Sequence, residues 1–252
     1  MKFTYLIIGN SYISINLANK FKSLKMDYIK VNNPFDLKKL KLNKQKKYII
    51  IYLYIRRSKT VIYNKSKLSF TLNFFMKFNH EIIYISTSEF YPKTKNVRIH
   101  LNNEKTLIGK KAYILRICQI YGGELIKKDN EYGINGFIKS LKNHNLIRLN
   151  KDYENLRTYC SFDELIKSLI YLTNKKYGIK YTLLNKRKIS FIYLAKKIIE
   201  YSKRKYSSIL VYQEKKSEYK KNINYGKVKK IFINYNFEKN LSKVVKNYFN
   251  LS

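Results

Sequence analysis

The first eighteen residues place the strongest constraint on the fold of this 252-residue chain. A largely apolar run over 3–8 ends at Gly9 and passes within a few residues into a stretch whose apolar side chains recur at helical spacing. A strand, a tight turn and a helix in immediate succession are typical of the start of a unit that forms parallel sheet. The sequence therefore predicts a buried strand, a turn at Gly9 and the first turns of a helix.

The turn after this strand is a degenerate form of the G-x-G-x-x-G pattern, in which a dinucleotide pyrophosphate lies at the N-terminus of a helix. Its three glycine positions hold Gly9, Ser11 and Ser14. In the full pattern the first glycine forms the turn, the second lets the backbone approach the pyrophosphate, and the third lets helix and strand pack closely. Two serines leave open both a dinucleotide turn and an ordinary strand-to-helix turn, so the remaining sequence must decide between them.

The net charge of +37 at pH 7 is the second prominent feature. Dense positive charge binds phosphate backbones without sequence readout, so nucleic-acid binding is one interpretation. However, eight of the 53 basic residues are arginine and 45 are lysine, and the abundant Lys, Asn, Ile, Tyr and Phe all have AT-rich codons. A base bias of the genome would therefore explain much of the charge, and nucleic acid stays an alternative partner.

The two cysteines and the hydropathy bear on the compartment. Cys118 and Cys160 lie far apart in the sequence, form no metal-ligand motif and suggest no disulfide framework, which is typical of a reducing cytoplasm. No apolar run approaches the roughly 20 residues of a membrane span, and the first strand lacks a small-residue cleavage site. We therefore expect a cytoplasmic protein without membrane association.

Strand patterns alternate with helical patterns along the chain, which predicts a parallel sheet with helices on both faces. The predicted strands are 3–8, 27–31, 48–54, 81–87, 113–121, 146–149, 181–185 and a last one at 209–211. The predicted helices, after the one that follows Gly9, are 35–42, 66–78, 134–142, 163–172, 190–200 and 240–249.

The second strand ends at Asn32 and Asn33, where a dinucleotide-binding sheet usually carries an acidic residue for the ribose hydroxyls of NAD. Either asparagine can hydrogen-bond a hydroxyl, and the absence of a carboxylate removes repulsion toward a 2′-phosphate. Both NAD and NADP therefore remain open. Arg56 and Arg57, after the next strand, either face a phosphate or lie in a solvated loop.

Five short segments carry further motifs in a fixed order. They are G-N-S-Y-I-S-I-N-L-A at 9–18, I-S-T-S-E-F-Y at 85–91, I-L-R-I-C-Q-I-Y-G-G at 114–123, R-T-Y-C-S-F-D-E-L at 157–165, and T-L-L-N followed by I-S-F-I-Y-L-A over 182–195. In this order they resemble the extended short-chain dehydrogenase/reductase family, which comprises sugar-nucleotide epimerases, dehydratases and 4-keto reductases. The resemblance spans most of the chain.

The resemblance implies an α/β fold, a Rossmann-like doubly wound parallel sheet with a small C-terminal substrate-binding lobe. Residues 1–122 would form the dinucleotide-binding core, and residues 123–252 a mixed region that contributes core elements and the lobe. It also implies NAD or NADP as cofactor, a nucleotide-sugar as substrate, and a homodimer as one assembly to test.

Roles for individual residues follow from the same resemblance. The expected cofactor contacts are Gly9, Ser11, Tyr12, Ile13, Ser14 and Asn32. Thr87 would hydrogen-bond the reacting oxygen of the sugar, and Glu89 would be the remaining acid/base carboxylate after that strand. Gln119 would contact the substrate, and Arg157 would hold its pyrophosphate through a charge-assisted guanidinium fork.

The chain departs from the family at its Tyr-x-x-x-Lys pair, in which a tyrosinate moves the hydroxyl proton and the lysine lowers the tyrosine pKa. Alignment of 96–104 with Y-x-x-x-K-x-x-x-E places Asn96 at the tyrosine, His100 at the lysine and Glu104 at the glutamate. Neither of the first two substitutions preserves that mechanism. His100 is then either a proton carrier or a solvated helix histidine.

Literal Tyr-x-x-x-Lys matches occur elsewhere, at Tyr63/Lys67 and Tyr91/Lys95. We interpret the first as the start of a surface helix, and the second lies too close to Thr87 for the usual geometry. Two hypotheses remain. The first is an NAD(P)-dependent epimerase, dehydratase or reductase of a nucleotide-sugar, with catalysis either intact or impaired. The second is a non-catalytic binding or assembly protein that has kept the scaffold, with nucleic acid as one partner.

Overall fold

The computed structural model describes residues 3–56, 59–87, 94–123, 133–149, 154, 156–173, 175, 177–184, 187–211, 229–232 and 236–251. Two compact units are present. The first consists of Met1–Ile117, Ile166–Leu183 and Ile223–Ile231, and the second of Cys118–Leu165, Leu184–Asn222 and Phe232–Ser252. No helix within the described ranges has the length and apolar character needed to cross a bilayer.

The helices and strands alternate along most of the chain. In order they are β1 (Phe3–Ile8), α1 (Tyr12–Ser23), β2 (Tyr28–Val31), a 3₁₀ helix (Pro34–Lys39), β3 (Lys47–Tyr52), α2 (Val61–Phe75), β4 (Asn79–Thr87), α3 (Lys95–Thr106), β5 (Ala112–Ile117), β6 (Gln119–Tyr121), α4 (Gly133–His144), β7 (Leu146–Leu149), β8 (Tyr159–Ser161), α5 (Phe162–Leu172), β9 (Lys180–Leu184), α6 (Phe191–Ser202), β10 (Ser208–Val211), β11 (Lys229–Phe232) and α7 (Phe237–Phe249).

A seven-stranded sheet in the order β11, β9, β5, β4, β3, β1, β2 is the centre of the first unit. The six strands from β9 to β2 run parallel, which confirms the sheet expected from the sequence. Their runs of aromatic and β-branched residues are buried on both faces, as parallel strands require. From β1 the chain first adds β2 on one side and then β3 on the other side. The carboxyl ends of β1 and β3 therefore form the switch point at which such sheets bind ligands.

Helices cover both faces of this sheet. On one face the ring of Tyr5 in β1 lies 4.8 Å from that of Phe21 in α1. On the other face the ring of Tyr48 in β3 lies 6.1 Å from that of Phe75 in α2, and α3 packs beside α2. Tyr5 is paired with Ile49, the neighbour of Tyr48, so the two tyrosines point to opposite faces.

The second unit has a core of its own. Its strands form two parallel pairs, β6 with β8 and β7 with β10. Apolar faces of α4, α6 and α7 pack together and against these strands, with Ile138, Leu194 and Leu241 fully buried at the centre. Ser190 caps α6, because its Oγ accepts a hydrogen bond from the backbone N–H of Tyr193 at 3.2 Å.

Several element bounds differ from the sequence expectation, and side-chain caps account for two of the differences. α2 begins at Val61, not Ser66, because Thr60 Oγ1 accepts from the N–H of Tyr63 at 3.1 Å. The helix expected at 35–42 is a 3₁₀ helix that starts at Pro34, after Asn33. β10 is not the last strand, since β11 follows it, and α7 begins at residue 237 rather than 240.

The buried sheet predicts a large cost for a cavity in β3. Ile50 is fully buried, whereas Ile62 on α2 is 78% exposed. We expect Ile50→Ala to lower the free energy of unfolding by about 2–5 kcal/mol. The matched change Ile62→Ala should alter it by less than about 0.5 kcal/mol. Urea unfolding followed by circular dichroism measures both, and equal losses would contradict the described packing.

Candidate functional site

The turn between β1 and α1 lies at the switch point of the sheet, and its first residue must be glycine. Gly9 has φ of +143°, and a Cβ built on it would come within 3.1 Å of the carbonyl carbon of Leu53, just after β3. The N–H of Gly9 donates to the carbonyl of Val31 at 2.8 Å, and the N–H of Leu53 donates to that of Ile8 at 2.8 Å. These bonds hold the ends of three strands together around the turn.

The two serines fit this turn without distorting it. Ser11 has extended backbone angles, φ −90° and ψ 163°, so this position does not require glycine. Its Oγ accepts from the N–H of Ser14 at 3.3 Å, and Ser14 Oγ donates to the Ser11 carbonyl at 2.8 Å. Ser14 is fully buried, which shows that the contact between helix and strand has room for its side chain.

Tyr12 and Ile13 form the first turn of α1, behind the Ser11 cap. The amino end of a helix carries partial positive charge and N–H groups that favour an anion. The first turn of α1 contains no acidic residue that would oppose such a ligand. The turn therefore has the geometry and the electrostatics of a pyrophosphate site.

The end of β2 presents an amide and an ammonium group rather than a carboxylate. Asn33 is engaged as the cap of the 3₁₀ helix, where its Oδ1 accepts from the N–H of Phe35 at 3.2 Å. The neighbouring Asn32 is exposed, and its Oδ1 accepts a hydrogen bond from Nζ of Lys30. Partial burial lowers the pKa of Lys30 from its ordinary value. Of the two asparagines, Asn32 is thus the one available to a ligand.

Arg56 and Arg57 follow β3. Asn64 of α2 holds the Arg56 backbone: its Oδ1 accepts from the Arg56 N–H at 2.8 Å, and its Nδ2 donates to the Arg56 carbonyl at 3.1 Å. Arg57 lies outside the described residues.

His100 on α3 is tied to a buried tyrosine. Its Nδ1 lies 3.0 Å from the hydroxyl of Tyr84 on β4, and Asn103 Nδ2 donates to the same hydroxyl at 3.3 Å. Burial raises the pKa of Tyr84 far above its usual range, so this hydroxyl stays protonated. His100 is half-buried on α3, and its choice between a proton carrier and a solvated helix histidine stays a prediction.

Two predicted site residues carry buried oxygens without a hydrogen-bond partner. These atoms are Oδ1 of Asn96, in the first turn of α3 in the first unit, and Oε1 of Gln119, in β6 of the second unit. An unsatisfied buried polar group costs about 1–3 kcal/mol. Each oxygen is therefore an acceptor that a ligand hydroxyl or N–H could satisfy.

A buried carboxylate anchors α3 to the sheet. Glu104 Oε1 accepts from Arg116 Nε at 3.0 Å and from Ser86 Oγ at 2.8 Å, while Oε2 accepts from Arg116 Nη2 at 2.8 Å and lies 3.1 Å from Lys180 Nζ. Burial alone would raise the pKa of Glu104, but its bonds to Arg116, Ser86 and Lys180 hold it below its ordinary value. The sequence alignment placed Glu104 four residues after His100 without indicating these partners.

Thr87 is the last residue of β4 and pairs with Ile117 of β5. Successive strand side chains point to opposite faces. Tyr84 and Ser86 contact α3, so Thr87 belongs to the other face of the sheet. The structure therefore does not group Thr87 with Asn96 and His100 on one face. Glu89 and the rest of the segment 88–93 lie outside the described residues.

The alternative pair Tyr63/Lys67 lies at a helix start as expected, since Thr60 caps α2 through the N–H of Tyr63, but its lysine is not on the surface. Lys67 is only 3% exposed, and its Nζ lies 2.8 Å from the centre of the Phe35 ring. The ammonium group is thus engaged with an aromatic face inside the first unit. Tyr91 lies outside the described residues, so the pair Tyr91/Lys95 stays a prediction.

In the second unit, Arg157 lies in an ordered bridge. Its N–H donates to the carbonyl of Ile189 at 2.9 Å, and the N–H of Ile189 donates back at 2.8 Å. The guanidinium lies 5.2 Å from the centre of the Phe191 ring. Gly122, at φ +84°, follows β6 and donates its N–H to Asn135 Oδ1 at 3.3 Å.

A surface cavity of about 380 Å³ opens elsewhere in the first unit, at the amino ends of β4 and β5. His80, Lys110 and Lys111 are among its lining residues. It lies at the sheet edge opposite the switch point. In the described part of the chain, no three His, Cys, Asp or Glu side chains cluster as metal ligands would.

No family model and no curated protein matches this chain. Solved structures do. UDP-glucose 4-epimerase of Thermotoga maritima, with UDP-glucose, has a TM-score of 0.73 at 15% identity and covers 98% of this chain and 99% of its own. dTDP-glucose 4,6-dehydratase of Bacillus anthracis, with NAD, has a TM-score of 0.72 at 12% identity, and the match covers 98% of this chain and 96% of the dehydratase. RMD of Pseudomonas aeruginosa, with NADPH, has a TM-score of 0.73 at 11% identity, and the match covers 98% of each chain. At these identities the likeness shows the fold.

The Glu104 contacts predict a large stability loss when the carboxylate is removed. Glu104→Gln should lower the free energy of unfolding by about 3–5 kcal/mol, because it leaves a buried Arg116 without its counter-ion. The control Asp36→Asn removes the pair that Asp36 forms with Lys39 on the surface and should cost less than about 1 kcal/mol. Similar losses in urea unfolding would contradict the anchoring role.

The contacts of Glu104 also make the free energy of unfolding depend on pH. Because the folded pKa of Glu104 is lowered, its stabilising contribution is complete above the unfolded value near 4.5 and is lost as the pH falls through the folded pKa. Wild-type stability should therefore fall more steeply below pH 4.5 than that of Glu104→Gln. Parallel pH profiles of the two proteins would contradict this assignment.

Proposed function

We propose that this chain binds a nicotinamide dinucleotide, NADP(H) in preference to NAD(H), together with a nucleotide-sugar, and acts on that sugar as an epimerase, dehydratase or reductase. The observation that carries the proposal is the β1–α1 turn, in which Gly9 approaches Leu53 and Ser11 begins α1 at the switch point of a parallel sheet. Turns of this geometry bind a dinucleotide pyrophosphate.

The residues present fit the cofactor. Gly9, Ser11, Tyr12, Ile13 and Ser14 form a capped helix start that can receive the pyrophosphate, and the last glycine of the usual pattern is replaced without loss of packing. The dehydratase from Bacillus anthracis is described with NAD and RMD with NADPH, which supports a cofactor of this class.

The preference for NADP(H) rests on the end of β2. A carboxylate there would bind the ribose hydroxyls of NAD and repel a 2′-phosphate. This chain instead carries Asn32, hydrogen-bonded to the ammonium of Lys30. Such a pair can donate to a phosphate and offset its charge.

Gln119 and Arg157 are the proposed substrate contacts. The buried Oε1 of Gln119 lacks a partner and can accept from a substrate hydroxyl. The guanidinium of Arg157 is held over Phe191, in an orientation from which it can contact phosphate oxygens. The epimerase from Thermotoga maritima is described with UDP-glucose, which supports a nucleotide-sugar as the substrate class.

His100 is the proposed proton carrier. A bound nicotinamide would supply hydride exchange with a sugar carbon. The Tyr84 hydroxyl lies 3.0 Å from Nδ1 of His100; in this proposal it donates to Nδ1 of the neutral ring, and Nε2 exchanges the proton. Asn96 Oδ1 would accept a hydrogen bond from a ligand hydroxyl, and Thr87 and Glu89 keep their expected roles as proposals.

A second candidate function is ligand binding without turnover. It is favoured by Asn96, since an amide at the position of the family's tyrosine cannot exchange a proton as a phenol does.

Cofactor affinity should depend on two positions of the first unit. By fluorescence titration, the wild type should bind NADPH at least about tenfold more tightly than NADH. Gly9→Val should abolish binding of both, because φ of +143° is strained for a β-branched residue and its Cβ would crowd the Leu53 backbone at 3.1 Å. Asn32→Asp should reverse the preference.

Asn19→Asp is the matched control for this series, because it adds the same charge at an exposed position of α1. It should leave both affinities within about twofold of the wild type. Undetectable binding of either dinucleotide to the folded wild type would overturn the proposed function. If Asn32→Asp and Asn19→Asp changed the ratio of NADPH to NADH affinity equally, the assignment of Asn32 to the ribose site would be overturned.

The two candidate functions differ in the effect of His100→Gln on turnover. If His100 carries the proton, this variant should lower kcat by about 10²–10⁴-fold and leave NADPH affinity nearly unchanged. A panel of UDP- and dTDP-sugars, assayed by product chromatography, gives the rates. Substrate binding without wild-type turnover would support the second candidate and contradict the first.

A further inference from the structure

The sulfurs of the two cysteines are in contact. Cys118 Sγ lies 2.6 Å from Cys160 Sγ, although the residues are 42 positions apart in the chain. Cys160 is in the middle of β8, and Cys118 immediately precedes β6, the strand that pairs with it. The sequence suggested no disulfide, because nothing in the local pattern indicates that these two strands are neighbours.

Neither thiol forms a disulfide, and both residues are buried. Cys118 is 6% exposed and Cys160 is fully buried. A disulfide requires a sulfur separation of about 2.05 Å and neighbouring Cβ atoms. Cys160 lies on β8 and Cys118 directly before its partner strand β6, and their sulfurs are already in contact, so a shift of the side chains can bring them to this separation.

A shared metal ion is a weaker explanation of the contact. Structural metal sites with thiolate ligands need four donors around the ion. Among the described residues, no group of three His, Cys, Asp or Glu side chains includes this pair. Oxidation is therefore the chemistry that the geometry favours.

We propose that Cys118 and Cys160 are a modification site, at which a peroxide forms a reversible disulfide that joins β6 to β8. The Cys118 thiol, in the more exposed residue of the two, releases its proton; the thiolate attacks one peroxide oxygen, the O–O bond breaks, and a sulfenic acid and hydroxide form, the hydroxide taking up the released proton to give water. The sulfur of Cys160 then attacks the sulfenic sulfur, an S–S bond forms, the S–O bond breaks and water leaves. Two thiols thus reduce hydrogen peroxide to two waters, and a dithiol reductant reverses the change.

The bond would close the segment from 118 to 160, which includes α4 and β7. Such a cross-link restricts the unfolded chain and stabilises the folded one against it. It would also join the residue before Gln119 to the strand that follows Arg157. The proposal stands apart from the proposed function, because its chemistry needs neither cofactor nor sugar.

The test uses the full chain, reduced with dithiothreitol, desalted and then treated with hydrogen peroxide. Alkylation in denaturant followed by intact mass should show both thiols lost together and a mass lower by two hydrogens. A peptide map should show one cross-link, Cys118 to Cys160. The urea midpoint should rise on oxidation and return after dithiothreitol.

Cys118→Ser and Cys160→Ser are the controls, and neither should show a midpoint that responds to peroxide. If a serine variant does not fold, the wild-type mass and peptide map still decide the question. Thiols that remain fully alkylatable after peroxide would overturn the proposal. So would their independent conversion to sulfinic acids, or cross-links formed only between two chains.

Discussion

The buried carboxylate of Glu104 is the interaction on which the arrangement of the first unit most depends. Its two oxygens bind Ser86 on β4, Arg116 on β5 and Lys180 on β9, so one side chain joins α3 to three strands that are neighbours in the sheet. A charge buried this deeply is stable only when its hydrogen bonds are complete. The bonds of His100 and Asn103 to Tyr84 add a second attachment of α3 to β4.

The β1–α1 turn and the first turn of α3 differ in how closely they follow the expected motifs. The switch point retains a glycine where the Leu53 backbone leaves no space for a Cβ, and serines stand where the structure has room for them. The helix that would carry a tyrosine and a lysine instead carries Asn96 and His100, the latter bonded to Tyr84.

Local patterns in the sequence predicted the parallel sheet and the turn at Gly9, because both depend on apolar runs and on a single glycine. They could not indicate that Glu104 meets Arg116 and Lys180, or that Cys118 meets Cys160, since these contacts join segments far apart in the chain. The exposure assigned to Lys67 was wrong for a similar reason: Phe35, which covers its ammonium group, lies on another element.

The most direct test of the central claim is a crystal structure of the protein with NADPH. The account predicts the pyrophosphate within hydrogen-bond distance of the backbone N–H groups at the start of α1, near Ser11, with the 2′-phosphate beside Lys30 and Asn32. A dinucleotide bound away from this turn would contradict the claim, as would crystals that exclude NADPH at saturating concentration.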